Sequence, residues 1–398
     1  MTDNYDFEAI QETIENIFKI KDITYGNSKQ HFIVRYRGKL KQKNSAKAYA
    51  GLEKKLKSHK LLPLFREIDE VQIIILIPDL PQPKSTKPQT NLILFFLTLL
   101  SVLLTGGLYG IESELPSNGW LIALELIKNG WPFAVSLLTI LAAHEFGHYF
   151  AGRRHGLQVT LPYFIPFPFS VFGTMGAFIN MRSIPKNKRQ LFDLAVTGPL
   201  CGLVLSIIVL LIGLRLSPLN NLPLAPQESF SLQMEGNSIL YLLLKYATFG
   251  KLLPEPVNLS GISLVFYWLQ FFFTAHPFPW GGTDVMLHQV AWAGWAGLLV
   301  TTMNLIPAGQ LDGGHIFYAL FGKKAAKAIL PFILGGLALL GFFLNTWWLW
   351  AVLIFMFGRT HAEPLDQITR VDKKRQWLGV LAIVVFILTF IPVPISLI

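Results

Sequence analysis

The sequence predicts a mainly α-helical, polytopic membrane protein with a membrane-associated β element and a small N-terminal α/β cytoplasmic domain. Three observations lead there. Of 398 residues, 52% are hydrophobic and only 15% charged, with a mean hydropathy of +0.46, whereas soluble domains carry about 25% charged residues. Apolar runs near the ~20 residues needed to cross a bilayer core recur at 91–109, 131–152, 191–214, 287–306, 328–344, 346–358 and 377–396. These make six to seven transmembrane helices, with 346–358 short and 260–273 suited to the membrane interface. Residues 1–78, finally, differ in character from the rest.

Within 1–78, "FEAIQETIENIF" has helical apolar spacing, "QHFIVRYRGKL" reads as a strand, "SAKAYAGLEKKLKSH" as a basic helix and "VQIIILIP" as a buried strand. The order is close to αββαβ. No phosphate loop, metal-ligand spacing or repeat stands out, so a docking or regulatory role is expected, with lysines able to lie against anionic lipid headgroups. Residues 79–90, "DLPQPKSTKPQT", form a Pro-rich linker, and 91–398 form the membrane domain, with its core at 130–325. The acidic start "MTDNYDFEAI" lacks the apolar stretch of a signal peptide.

The formal net charge is +10, but the cations sit in loops and in the first 90 residues. They read as topology signals, not as a nucleic-acid surface. "GRRHG" after the second run, "KNKR" at 186–189, "KKAAK" at 323–327 and "RVDKKRQ" at 370–376 mark one side, while 110–130 and 215–286 are poorer in cations. This threading puts the N-terminal domain, the end of "HEFGH" and the stretch "NLIPAGQLDGGH" (304–315) at the same cytoplasmic side. The single Cys201 excludes an intrachain disulfide and reads as a packing residue.

"HEFGH" carries the chemistry. His144 and His148, four apart on a helix, project from one face and can reach one ion, with Glu145 alongside. Polar groups at this depth need partners, since a charge near the bilayer centre costs roughly 2.5–3.5 kcal/mol on insertion scales. A catalytic zinc site needs a third protein ligand and an open position for water; Glu145 is then the general base toward that water. Asp312 is the preferred third ligand, because it sits in a Pro- and Gly-interrupted stretch where an unpaired carboxylate is costly. His315 is a rival. His155 is another, but a continued helix carries it about 10.5 Å along the axis from His148, and "HEFGHYFAGRRH" places its last glycine and histidine one residue too late for the metzincin spacing.

Other residues have narrower readings. The Asn304 amide either holds substrate backbone or an oxyanion, or makes an interhelical hydrogen bond. Gly198 and Pro199 allow close helix approach or a bend, and Asp193 and His288 are expected to cap helices. Residues 161–181, "LPYFIPFPFSVFGTMGAFINM", are too Pro-rich to span. Their later part suits a hairpin or strand whose edge could pair with an extended substrate, a mode that matters because a helical peptide bond is shielded from attack.

"HEFGH", then "FGTMGAFINMRSIPKNKRQLFDLAVTGPLCG", then "AGWAGLLVTTMNLIPAGQLDGGH" resemble, in order, the motifs of the site-2 protease family of intramembrane zinc metalloproteases, over roughly residues 130–325. The resemblance implies that family's membrane core and its embedded β element, one Zn²⁺ held by two histidines of one helix and an aspartate of a later one, and a transmembrane protein as substrate within the lipid bilayer. An anti-sigma factor or a signal peptide remnant would be such a substrate. The N-terminal domain, with "RGKL" at 37–40 where a Gly-Asn-Leu-Arg signature is sought, resembles the cyanobacterial and plant chloroplast branch, which implies a bacterial cell membrane or a thylakoid. No segment resembles a PDZ or CBS domain. Two alternatives are a metal-ion transporter, expected to offer ligands in series along a path, and a non-proteolytic family member, expected to lose Glu145 or a ligand.

Overall fold

The computed structural model describes residues 5–27, 32–79, 87–111, 116–225, 233–360 and 362–397. In the N-terminal domain, α1 (Phe7–Glu15), β1 (Phe18–Tyr25), β2 (Val34–Leu40), α2 (Ser45–Leu56), β3 (Leu61–Ile68) and β4 (Val71–Pro78) follow one another. The strands form an antiparallel sheet in the order β1-β2-β4-β3. The side chains of Asp6 and Asn44 accept hydrogen bonds from the first turns of α1 and α2, satisfying N–H groups that a helix start leaves open. Ile10, Ile14, Leu52 and Leu56 then pack with Phe18, Tyr36, Phe65 and Ile74 into one core.

The order is αββαββ, not αββαβ. The additional strand is β3, whose Pro63 and adjacent Arg66 and Glu67 interrupt a strand pattern. A proline is tolerated there because β3 is an edge strand of the sheet. Asp69 and Glu70, both at positive φ, turn it back onto β4. Of the expected linker, residues 80–86 lie outside the described residues, and 88–90 already belong to the next helix, with Pro88 at its start, where its missing N–H is not needed.

The membrane domain comprises α3 (Pro88–Leu108), α4 (Gly119–Arg154), β5 (Tyr163–Pro166), β6 (Thr174–Phe178), α5 (Lys188–Arg215), β7 (Leu219–Asn221), β8 (Gln233–Glu235), α6 (Ile239–Phe249), α7 (Gly261–Thr274), β9 (Thr283–Val285), α8 (Gln289–Leu305), α9 (Asp312–Gly341), α10 (Thr346–Phe357), α11 (Lys373–Thr389) and β10 (Ile395–Leu397). Among the described residues, four helices are long and apolar enough to cross a membrane: α3, α4, α5 and α9. α8 and α11 have 17 residues each and α10 has 12. α9 is broken at Gly322, where φ is 82° and ψ 178°.

α4 begins at Gly119, well before the apolar run at 131. Pro132 lies inside it, as membrane helices permit when neighbours satisfy the freed carbonyl. α3 and α4 meet at backbone distance: a Cβ on Gly130 would lie 2.0 Å from the Leu103 carbonyl oxygen. Small residues make this approach possible. Cys201, expected to pack, is instead on an exposed face of α5.

A strap of residues 362–372, before α11, joins the N-terminal sheet to the start of α5. Its Leu365 carbonyl accepts from Phe65 N–H of β3 (2.9 Å), and the Phe65 carbonyl accepts from Gln367 N–H (3.1 Å). On its other side Asp366 N–H donates to the Lys186 carbonyl (2.7 Å) just before α5. The Lys186 ammonium pairs with Glu53 of α2 at 2.6 Å.

Candidate metal centre

α4 carries His144, Glu145 and His148 on a buried face, six residues before its end at Arg154. At the 1.5 Å rise of a helix, His148 lies about 9 Å from that end. α5 crosses directly over this face. A Cβ on Gly198 would lie 2.1 Å from His148 Nε2, and one on Gly202 would lie 3.3 Å from His144 Cβ. The two glycines, four apart, thus form a groove in α5 that receives the imidazoles. Gly147 meets the same helix, since its Cβ would lie 2.8 Å from the Thr197 carbonyl oxygen. The expectation of close helix approach at Gly198 agrees with this geometry.

Asp312 arrives from the far side. α8 ends at Leu305, the chain turns through Pro307 and Gly309 (φ +54°), and Asp312 is the first residue of α9. A carboxylate is favoured at a helix N-terminus. Gly313 and Gly314 are required here, because their Cβ atoms would lie 2.0 Å from the Leu305 carbonyl oxygen and 2.5 Å from that of Gly309. The "LDGG" run therefore lets the first turn of α9 tuck under the end of α8.

The three side chains converge. His144 Nε2 and His148 Nε2 are 3.1 Å apart, and Asp312 Oδ2 is 3.3 Å from the first and 3.2 Å from the second. Tetrahedral zinc with bonds of about 2.0–2.1 Å separates its ligands by about 3.3–3.4 Å, so the spacing fits that ion within a few tenths of an ångström. The donor chemistry fits too. His148 Nδ1 lies 2.8 Å from the Leu194 carbonyl oxygen; that acceptor fixes the ring proton on Nδ1 and leaves Nε2 of the neutral ring bare toward the other two donors. Among the described residues this is the one group of three or more such side chains close enough to share an ion.

A cavity of about 200 Å³ opens beside these atoms, lined by Glu145, Phe178, Met181, Asn304, Gln310 and His315 as well as the convergent set. β5 and β6 pair as an antiparallel hairpin, Tyr163 opposite Phe178, so strand structure also takes in the earlier Pro-rich part of 161–181. Ile179, just past β6, lines the same cavity as Glu145. His315 lies one turn beyond Asp312, in the cavity wall and outside the convergent set. His155 is further off, at the end of α4, bonded to Asp193 at 2.9 Å. His288 caps α8 as expected, with Nδ1 accepting from Val290 N–H. Asp193 does not cap α5, a role taken by Asn187.

No side-chain pattern in the sequence signals a backbone partner such as the Leu194 carbonyl. The four-residue spacing of Gly198 and Gly202 does carry a signal of the groove in α5.

Two histidines and an aspartate joined inside long apolar helices define the class of membrane-embedded HExxH proteins. Comparison with known proteins makes the assignment specific: the model of peptidase family M50 matches residues 132–344, and the chain belongs to that family. It is similar to "Probable zinc metalloprotease EGY2, chloroplastic" of Oryza sativa subsp. indica, 31% identical over 277 residues that make up 68% of this chain and 44% of the relative. The protein of the same name from Arabidopsis thaliana is 29% identical over 346 residues, 84% of this chain and 55% of the relative. "Probable zinc metalloprotease EGY1, chloroplastic" of Arabidopsis thaliana is 30% identical over 267 residues, 65% and 42%. The chain spans about half the length of the curated relatives it matches.

Proposed function

We propose that the protein is a zinc metalloendopeptidase that hydrolyses peptide bonds within or near transmembrane segments of membrane-anchored proteins. The observation that carries the reading is the 3.1–3.3 Å triangle of His144 Nε2, His148 Nε2 and Asp312 Oδ2. These three residues hold one Zn²⁺. When bound, zinc supplies a Lewis acid that polarises a peptide carbonyl and makes water acidic enough to lose a proton near neutral pH.

The chain's own groups do the rest. Glu145, beside the two histidines, takes the proton from the attacking water and delivers it to the departing amine nitrogen. Asn304, in the cavity wall, offers its amide to the substrate backbone or to the oxygen that gains charge. The outer edge of β6 pairs with the unwound substrate strand. His148 keeps its orientation through the Leu194 carbonyl.

In the bilayer, α8 and α11 join the four long helices to give six spans, or seven with the short α10, with the N-terminal domain and the metal centre toward the cytoplasm or its thylakoid counterpart. The substrate class is a membrane-anchored regulator, such as an anti-sigma factor, or a signal peptide remnant. A transporter reading finds no support in a single convergent donor set, and a non-proteolytic role none in the retention of Glu145 with all three donors.

The test is cleavage of a transmembrane peptide in proteoliposomes by wild type and Glu145→Gln, with zinc measured in both. Cleavage by wild type alone, at one zinc per chain in each, supports the proposal. Equal cleavage by both, or zinc uptake into the vesicles without cleavage, rejects it.

A further inference from the structure

Asp193 lies in the second turn of α5 and binds two other helices at once. Its Oδ2 lies 2.9 Å from His155 Nε2 at the C-terminal end of α4. Arg375, in the first turn of α11, grips the same carboxylate in bidentate fashion, Nε to Oδ1 at 2.7 Å and Nη2 to Oδ2 at 2.6 Å. The three side chains are about three-quarters buried, at 23% exposure for His155 and Asp193 and 26% for Arg375. Such forked guanidinium–carboxylate bonds fix direction as well as distance.

Arg375 is itself held by the strap. It bonds Asp372, the residue that caps α11, and two residues before Asp372 the Arg370 carbonyl accepts from Arg189 Nε at 2.9 Å. α11, α5 and α4 are therefore tied at one level, near the ends of all three. The next residue after Asp193 is Leu194, whose carbonyl receives His148 Nδ1. That single bond sets the ring plane and tautomer of a proposed metal ligand. It depends on how α5 is rotated and shifted along α4, whose backbones meet closely where a Cβ on Gly147 would lie 2.8 Å from the Thr197 carbonyl oxygen.

We infer that Asp193 is a positioning residue for the metal centre. By clasping His155 and Arg375 together, it locks the α4–α5 register in which the Leu194 carbonyl meets His148. The inference rests on the proposed zinc site. In it, Asp193 never touches the ion or the substrate, and its effect passes through the backbone of one neighbour.

The experiment uses the full-length protein in detergent: wild type, Asp193→Asn, Arg375→Gln, Arg375→Lys, and Asp312→Asn as reference. Zinc affinity is read by competition with a chromophoric chelator, ligand geometry by the visible spectrum of the cobalt-loaded protein, and fold by melting of the metal-free protein. Partners that bond a ligand directly change metal affinity about 10- to 100-fold. For this more remote residue, Asp193→Asn is expected to weaken zinc binding roughly tenfold and to alter the cobalt spectrum at saturating metal. Arg375→Gln shifts both the same way, and Arg375→Lys, which keeps the charge, recovers part of the loss.

Wild-type affinity and an unchanged cobalt spectrum in both Asp193→Asn and Arg375→Gln overturn the inference, even if their melting temperatures fall, because a simple staple would do that alone. Should Asp193→Asn fail to fold, Arg375→Gln decides by the same two readouts. Zinc bound by wild type and lost in Asp312→Asn keeps the metal reading intact whatever Asp193 does. Wild type that binds no zinc overturns both.

Discussion

Two buried polar clusters sit at opposite ends of the helical core, and they neutralise their charges in different ways. At the end of α4, two imidazoles and a carboxylate turn bare donor atoms toward a common point, 3.1–3.3 Å apart. In the insert between α5 and α8, Lys245 is wholly buried, its Nζ 4.0 Å from Glu235 and 4.4 Å from the centre of the Tyr241 ring. Tyr241 donates to Glu235 at 2.9 Å, and buried Asp284 completes the group. The second cluster carries its own cation; the first has only donors. Burial pushes Glu235 up to about 7, with Lys245 opposing, and burial lowers Lys245. A set of donors without a cation calls for an ion from outside, whereas a set that includes an ammonium needs none.

The sharpest way to break this contrast is to remove one donor from each cluster. Asp312→Asn should abolish stoichiometric zinc binding and peptide cleavage together, since two imidazoles leave the coordination set incomplete. Zinc analysis after gel filtration reads it directly. Retention of one tightly bound zinc by that variant would mean that the triangle is not the metal site. Glu145→Gln separates chemistry from binding at the same place: zinc stays, and turnover falls by about 10²- to 10⁴-fold, the usual contribution of a positioned acid–base group.

The counterpart is Lys245→Met, which strips the other cluster of its cation. Breaking a buried ion pair by removing one partner costs about 3–5 kcal/mol, and the expected loss is in stability, with zinc content unchanged. Its pH dependence has a definite sign. Glu235 is raised above its ordinary value of 4.5, so its contribution favours the fold at acid pH and fades as pH rises through about 7. Lys245 is lowered from 10.5, so its contribution favours alkaline pH. In wild type the two slopes oppose each other. Without the lysine only the carboxyl slopes remain, and the melting temperature of Lys245→Met should drop between pH 5 and 8 more steeply than that of wild type. Parallel pH curves for the two proteins would show that the cluster does not neutralise itself.

The contrast also explains what could be read in advance. Membrane class, the HExxH helix and Asp312 were legible because each leaves a mark in one dimension: apolar runs, a spacing of four, and a carboxylate in a stretch interrupted by Pro307 and three glycines. The Glu235–Lys245–Asp284 cluster left none, since its members lie on β8, α6 and β9, and nothing in the spacing of 235, 245 and 284 brings them together. β3 was missed for a related reason. Its Pro63 is acceptable only at a sheet edge, and edges are a property of the assembled sheet. The capping role expected for Asp193 followed from its place near a span end, but α5 starts earlier, at Lys188, and the carboxylate faces two helices distant in sequence.

The smallest change that still tells the clusters apart is one methyl group. Gly198→Ala puts a Cβ where His148 Nε2 now lies 2.1 Å away, while Gly202→Ala meets His144 Cβ at 3.3 Å. The first cannot be absorbed without moving the ring or the helix; the second asks a neighbour to yield by a few tenths of an ångström. Overpacking of this kind costs about 1–3 kcal/mol. At Gly198 the cost should appear as weaker zinc binding, because the displaced atom is a donor; at Gly202, where the 3.3 Å contacts are with Cβ and Nδ1 of His144 and not with its donor Nε2, zinc affinity should change several-fold less. A shared ion demands fixed donor positions, whereas the 4.0 Å separation of Lys245 and Glu235 tolerates small shifts. Equal zinc affinities in Gly198→Ala and Gly202→Ala would show that α5 does not set the position of His148, and that the ring is held from α4 alone.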